Sequence, residues 1–124
     1  MAKSRHLVDP ELVESLEAMP KLKLSRRTVP ELRARMAELL EQLSAIPRRP
    51  DVAYSQQTVP GPKGAPAVRV LIYTPKDGKT GRPAYFHIHG GGYVGGLPEM
   101  NEPGNALIAG ELGAVVVSVD YRLA

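Results

Sequence analysis

The stretch His87-Ile88-His89-Gly90-Gly91-Gly92-Tyr93-Val94-Gly95-Gly96 decides the fold of this 124-residue chain. It begins within an apolar run over residues 84–89, and five of the chain's 12 glycines crowd its end. A second apolar run, Ala114-Val115-Val116-Val117-Ser118-Val119, comes later. Near-continuous runs of this kind suit strands buried on both faces, as in parallel sheets covered by helices. Between them, Asn105 to Leu112 is long enough for a short helix, and Gly113 is placed to end it. Strand, glycine loop, helix and strand make a βαβ unit, so the fold class is α/β.

Upstream of that unit the period changes. Val68, Val70, Ile72 and Thr74 alternate with Ala67, Arg69, Leu71 and Tyr73, which is strand periodicity. Residues 52–59 form a weaker strand candidate, and Pro60-Gly61-Pro62-Lys63-Gly64-Ala65-Pro66 between the two is rich in turn formers. An antiparallel hairpin accounts for this segment. Residues 9–46 read as helical. Asp9 caps a first helix with Pro10 at its first position, Leu12, Val13, Leu16 and Met19 recur at helical spacing, and Pro20 ends it. The second helix starts at Thr28, with Glu31 completing a capping box, and carries the stripe Leu32, Met36, Leu39, Leu40 and Leu43 up to Pro47. Ordinary core packing is expected of both stripes, with a mobile lid over an apolar site as the rival reading.

Composition narrows the function. The chain has no cysteine, which excludes a disulfide framework, a thiolate nucleophile and a Cys-ligated metal. Its net charge of +3 is confined to residues 1–50, where ten Lys/Arg are interspersed with seven Asp/Glu. That pattern makes a solvated helical surface rather than a phosphate-binding stripe, so no nucleic-acid partner is expected. The longest uncharged apolar run, 112–119, is far too short to span a membrane. Met1-Ala2-Lys3-Ser4-Arg5-His6 is a basic start without an apolar stretch of signal-peptide length. A soluble, cytoplasmic protein is expected.

Three chemistries compete for the glycine loop, which sits at the C-terminal end of a strand, where open α/β sheets place their ligands. Gly90-x-Gly92-x-x-Gly95 has the spacing of a dinucleotide fingerprint, and Asp120 stands where a ribose-binding acid would. That fingerprint needs its helix to begin within the glycines, whereas Pro98, Pro103 and Gly104 delay the helix to about residue 104. A metal site would use His87 and His89, which share a strand face, but a site needs three or four ligands and no other cluster is near. The third reading is an oxyanion hole, since His-Gly-Gly-Gly after a strand supplies backbone donors in acyl transfer. A delayed helix does not disturb that reading, because the donors belong to the loop itself. No cofactor and no metal are expected.

His87-Ile88-His89-Gly90-Gly91-Gly92-Tyr93-Val94-x-Gly96, followed by Val115-Val116-Val117-Ser118-Val119-Asp120-Tyr121-Arg122-Leu123-Ala124, resembles the hormone-sensitive-lipase-like group of α/β-hydrolase carboxylesterases. The helical start with Asp9-Pro10 is similar to that family's cap segment. The resemblance implies the N-terminal portion of an α/β-hydrolase fold: a helical cap segment over 1–50, then over 51–124 an antiparallel hairpin and a βαβ unit of a mixed, mostly parallel sheet. It implies carboxylic ester hydrolysis through a serine acyl-enzyme. By the same resemblance the N–H groups of Gly91 and Gly92 are oxyanion donors, Gly90 lets the loop turn and His89 positions it. Tyr93 and Val94 would line the pocket entrance. Asp120, Tyr121 and Arg122 would brace the sheet edge, and Asp120 would not be the catalytic acid.

The nucleophile, acid and base of such an enzyme are not in these residues. The serines are Ser4, Ser15, Ser25, Ser44, Ser55 and Ser118, and none is flanked by glycines as G-x-S-x-G requires. The 124 residues alone are therefore expected to be inactive, and Val115–Val119 is expected to leave an exposed apolar edge. The expected partners are a small-molecule ester and either the remaining part of the hydrolase or a self-association partner. A hydrolase-like binding module without catalysis is the alternative.

Overall fold

The alternation in the middle of the chain folds as a hairpin of β1 (Val52–Val59) and β2 (Val68–Pro75), with Val59 opposite Val68 and Val52 opposite Pro75. This is seen in a computed structural model of the chain, which describes residues 4–19 and 24–124. The stop expected at Pro20 and the basic start Met1-Ala2-Lys3 lie outside the described residues. The two apolar runs become β3 (Ala84–Ile88) and β4 (Val115–Asp120), which pair in parallel with Ala84 opposite Val115 and Ile88 opposite Val119. One sheet results, in the order β1-β2-β4-β3.

β4 pairs with β2 antiparallel, so two of the three pairings are antiparallel. The sheet is mixed as expected, but over these residues it is mostly antiparallel rather than mostly parallel. Only the crossover between β3 and β4 runs parallel, because only there does a helix return the chain to the same end of the sheet. The burial expected of both apolar runs holds for one of them. β4 lies inside the sheet with Val116 and Ser118 fully buried, whereas β3 is the edge strand with Phe86 60% and Ile88 64% exposed. The exposed edge therefore belongs to β3, and Val115–Val119 is hydrogen-bonded on both sides.

The crossover helix α3 (Glu102–Leu112) starts earlier than expected. A 3₁₀ turn over Pro98–Asn101 leads into it, and Pro103 lies in its first turn, where a missing N–H leaves no bond unmade. Gly113 ends it in the left-handed conformation at φ 64°. The core lies between α3 and one face of the sheet, built from Val52, Tyr73, Ala106, Ala109 and Val116 with Tyr54, Leu71 and Ile108 around them. Arg69 fastens the next layer, donating from Nε to Asp120 at 2.8 Å and from Nη1 to Glu99 at 2.6 Å. It thereby ties β2, β4 and the 3₁₀ turn together.

At the N-terminal end, Asp9 Oδ1 accepts the N–H of Glu11 at 3.0 Å and caps the 3₁₀ turn Pro10–Leu12, which continues into α1 (Val13–Ala18). Leu12, Leu16 and Met19 are exposed, so the packing expected of this stripe is not made here. Helix α2 (Val29–Ser44) is capped three residues upstream of the expected box. Ser25 Oγ accepts the N–H of Thr28 at 3.2 Å, and Thr28 Oγ1 accepts that of Ser25 at 3.0 Å. Thr28 already has helical φ and ψ, so its hydroxyl reaches back rather than forward to the first turn. Along α2, Leu32, Met36, Leu40 and Leu43 are half-buried and Leu39 is exposed.

Candidate active site

The glycine loop leaves β3 at its C-terminal end and is shaped by consecutive left-handed residues. Gly91, Gly92 and Tyr93 have φ of 130°, 59° and 62°, and Tyr93 is the one non-glycine residue with positive φ among those described. The carbonyl of Gly91 accepts the N–H groups of Val94 and Gly95, both at 3.1 Å, and so closes the turn. A Cβ on Gly91 would lie 1.9 Å from the Gly95 oxygen, and one on Gly96 would lie 2.2 Å from the Gly90 oxygen. Gly90 is different: its φ is ordinary and a Cβ there would meet nothing within 4 Å. The turn expected of Gly90 is made instead by Gly91, Gly92 and Tyr93. The N–H groups of Gly91 and Gly92 lie on exposed residues and bond to no acceptor among the described residues.

His89 is buried beneath this loop at 5% exposure. Its Nδ1 lies 2.8 Å from the carbonyl oxygen of Gly90. A carbonyl only accepts, so Nδ1 carries a proton, while Nε2 is buried with no partner among the described residues. Tyr121 holds His89 twice. Its ring stacks on the imidazole at 4.2 Å, and its hydroxyl donates to the His89 carbonyl at 2.7 Å. Tyr93 meets Tyr121 edge-on at 5.9 Å and is itself 72% exposed; its carbonyl accepts the N–H of Ala124 at 2.8 Å. Val94 is half-buried beside it, and Arg122 is exposed. Asp120 is engaged by Arg69, inside the sheet rather than at its edge.

His87 stands apart from the loop on the α3 side of β3. Its Nδ1 lies 2.8 Å from Ser118 Oγ and a longer 3.4 Å from Asn105 Nδ2, while Asn105 Oδ1 accepts from Asn101 at 3.1 Å. An amide nitrogen only donates, so Nδ1 is the acceptor and the ring is neutral. Burial, and then the nearby His89, hold the His87 pKa below the ordinary histidine value. The folded value being the lower one, the unfolded chain takes up the proton first. The stability tied to neutral His87 is therefore complete above about pH 6.5 and is lost as pH falls through the folded value. We expect the wild-type Tm to drop as pH falls below about 6.5 and His87→Gln to flatten that drop. Thermal unfolding across this range checks it, and parallel profiles would refute the assignment.

These placements bear on the rival chemistries. Among the described residues no three potential ligands gather around a metal position, and His87 and His89 spend their Nδ1 atoms on other partners. No helix begins within the glycines, since the first helical turn after them starts at Pro98. Asp120, which would hold a ribose, is bonded to Arg69. A cavity of about 420 Å³ opens between the end of α2 and the start of α3, but no residue of the glycine loop lines it. Two residues that contact the loop carry no mark in the sequence. Arg33 and Met36 of α2 reach it from outside, and Met36 reads only as one member of an apolar stripe.

Comparison with known proteins agrees with this geometry. Residues 85–124 match the alpha/beta hydrolase fold family. Carboxylesterase NlhH of Mycobacterium tuberculosis is 34% identical over 118 residues, covering 94% of this chain and 35% of that protein. Hormone-sensitive lipase of Bos taurus is 42% identical over 54 residues, 44% of this chain and 7% of the lipase. Among solved structures, a bacterial heroin esterase aligns with a TM-score of 0.78 at 33% identity, covering 94% of this chain and 36% of the esterase. The chain spans little more than a third of the length of the esterases it matches. Among the described residues, no helix is long and apolar enough to cross a membrane. With the glycine loop and the whole of β4 inside the residues that match the alpha/beta hydrolase fold family, the chain is similar to the corresponding third of carboxylesterases and, over a shorter stretch, to hormone-sensitive lipase.

Proposed function

We propose that the polypeptide carrying these residues hydrolyses carboxylic esters of small molecules through a serine acyl-enzyme, with the N–H groups of Gly91 and Gly92 as oxyanion donors. The observation that carries this reading is a pair of adjacent, exposed amides, unbonded among the described residues, on a loop closed by its own carbonyl. Donors already fixed in place do not have to reorganise as charge develops on the tetrahedral intermediate. The identity to a carboxylesterase supports the same reading. His89 positions the loop through Gly90 without acting as base, because Nε2, the nitrogen free to take a proton, is buried beneath the loop. Tyr93 and Val94 line the entrance, and residues 1–50 form a cap segment over the core portion 51–124. A cytoplasmic location belongs to the same proposal.

The nucleophile, acid and base must come from residues beyond these 124, on the same polypeptide or on a second one. Ser118 is fully buried and held by His87, so it is no candidate. We expect the longer polypeptide to turn over p-nitrophenyl acetate or butyrate, and the 124-residue chain to stay at background, since a donor loop without a nucleophile has nothing to stabilise. Absence of turnover by the longer polypeptide would leave a binding module as the better reading. Turnover by the 124 residues alone would overturn the division of labour.

A further inference from the structure

Helix α2 grips the glycine loop from outside the sheet. Arg33 donates from Nε to the carbonyl of Val94 at 3.1 Å and from Nη2 to the main-chain oxygen of Ala124. The Met36 sulfur accepts the N–H of Gly96 at 2.9 Å. The same side chain stands so close that a Cβ on Gly95 would lie 3.0 Å from its methyl group and 3.4 Å from Leu32 Cδ2. At Gly95, whose φ is ordinary, the space for a side chain is thus limited by the approach of α2 rather than by the turn, and a methyl there would displace the flexible end of Met36 by a few tenths of an ångström. Arg33 and Met36 stand three residues apart and therefore share one side of the helix.

What distinguishes these contacts from ordinary packing is where they land. Val94 and Gly95 are the two residues whose N–H groups close onto the Gly91 carbonyl. A displacement of either one is passed through those bonds to the peptide planes of Gly91 and Gly92. Arg33 also closes a ring of main-chain contacts, because Ala124 donates to the carbonyl of Tyr93, next to Val94. A guanidinium can hold two carbonyls at a fixed angle, whereas an ammonium is a single point charge.

We propose that Arg33 and Met36 are positioning residues for the oxyanion loop, through which helix α2 sets the orientation of the Gly91 and Gly92 donors. The proposal rests on the ester-hydrolase reading of that loop. Neither residue touches substrate. Their effect falls on the transition state, so turnover should suffer while substrate binding does not.

The test uses the longer polypeptide with Arg33→Ala, Arg33→Lys, Met36→Leu and, as control, Arg35→Ala, an exposed residue of α2 outside these contacts. Two quantities are followed: kcat and KM on p-nitrophenyl butyrate, and amide hydrogen exchange across residues 91–96. Misplacement of a reacting group by about 1 Å can cost roughly 10²-fold, and losing one of several tethers should cost less. We expect kcat to fall about tenfold in Arg33→Ala and in Met36→Leu with KM within about twofold of wild type, and partial recovery in Arg33→Lys. Exchange at Gly95 and Gly96 should speed up in the same variants and not in Arg35→Ala. Wild-type turnover that survives both substitutions overturns the proposal and leaves the hydrolase reading standing. If the wild type itself hydrolyses no ester, the hydrolase reading fails, and unchanged exchange across 91–96 in both variants overturns the grip of α2 as well.

Discussion

Gly91→Ala in the longer polypeptide should lower ester turnover by at least about 10²–10³-fold, the loss that follows removal of one oxyanion donor. The reason is local and steric. At φ 130° an L side chain is strained, at a cost of about 1–3 kcal/mol, and the new methyl would sit 1.9 Å from the Gly95 oxygen and 2.5 Å from its carbonyl carbon. Both obstacles are backbone, so no side chain can swing aside to relieve them. Relief requires the Gly91 peptide to rotate, and that peptide is the donor. Gly90→Ala is the matched comparison, since its methyl enters open space at an ordinary φ. We expect Gly90→Ala to keep the wild-type Tm and Gly91→Ala to lower it. Equal kcat for wild type and Gly91→Ala, each with folded protein confirmed by thermal unfolding, would remove the loop from the mechanism.

The contrast between these two glycines shows what the sequence can and cannot carry. Local signals were readable. The hairpin strands, the Asp9 cap, the left-handed Gly113 and the loop at the end of β3 follow from turn chemistry and periodicity within a few residues. Which glycine bears the turn was not readable, because Gly90, Gly91 and Gly92 look alike until φ is known. Cap register failed in the same way at α2: Ser25 and Thr28 compete with Thr28 and Glu31 for one box, and only the backbone of residues 26–28 decides. Contacts between distant residues left no trace. Arg33 meets Val94 across 61 positions and Arg69 meets Asp120 across 51, and each reads in the sequence as one more solvated cation. The apolar character of β3 was legible but its setting was not. Phe86 and Ile88 stay exposed on a strand whose composition suits a covered one.

A second large effect is expected at Tyr73, far from any motif. This residue is the largest fully buried side chain, at 1% exposure, and stands opposite Tyr54 on β1 and Val116 on β4. Its ring meets Tyr54 edge-on at 5.4 Å, with Val52, Ala106 and Ala109 completing the cluster. The fully buried α3 members of the cluster are alanines, too short to move into the space a smaller residue would leave. Tyr73→Ala should therefore cost about 3–5 kcal/mol, a large part of the roughly 5–15 kcal/mol that holds a typical domain. The hydroxyl behaves oppositely to the ring. It is buried with no partner in good hydrogen-bond geometry among the described residues, and burial, reinforced by the charge of Glu102 and partly offset by the nearby Asn105 side chain, pushes the phenol pKa up to about 12. A polar group desolvated without a partner is a cost to the fold, so Tyr73→Phe should be at least as stable as wild type, by up to about 1 kcal/mol. Urea unfolding of the three proteins separates these terms. A Phe variant that loses more than about 1 kcal/mol would mean that the hydroxyl is bonded in solution. A mild Ala variant would mean that the layer between α3 and the sheet can collapse around the gap. The first outcome would move the polar frame around His87, since Asn105 on α3 reaches toward His87, which in turn holds Ser118. The expected pair of results would instead make the aromatic ring, and not its oxygen, the support that Tyr73 gives β4 beneath α3.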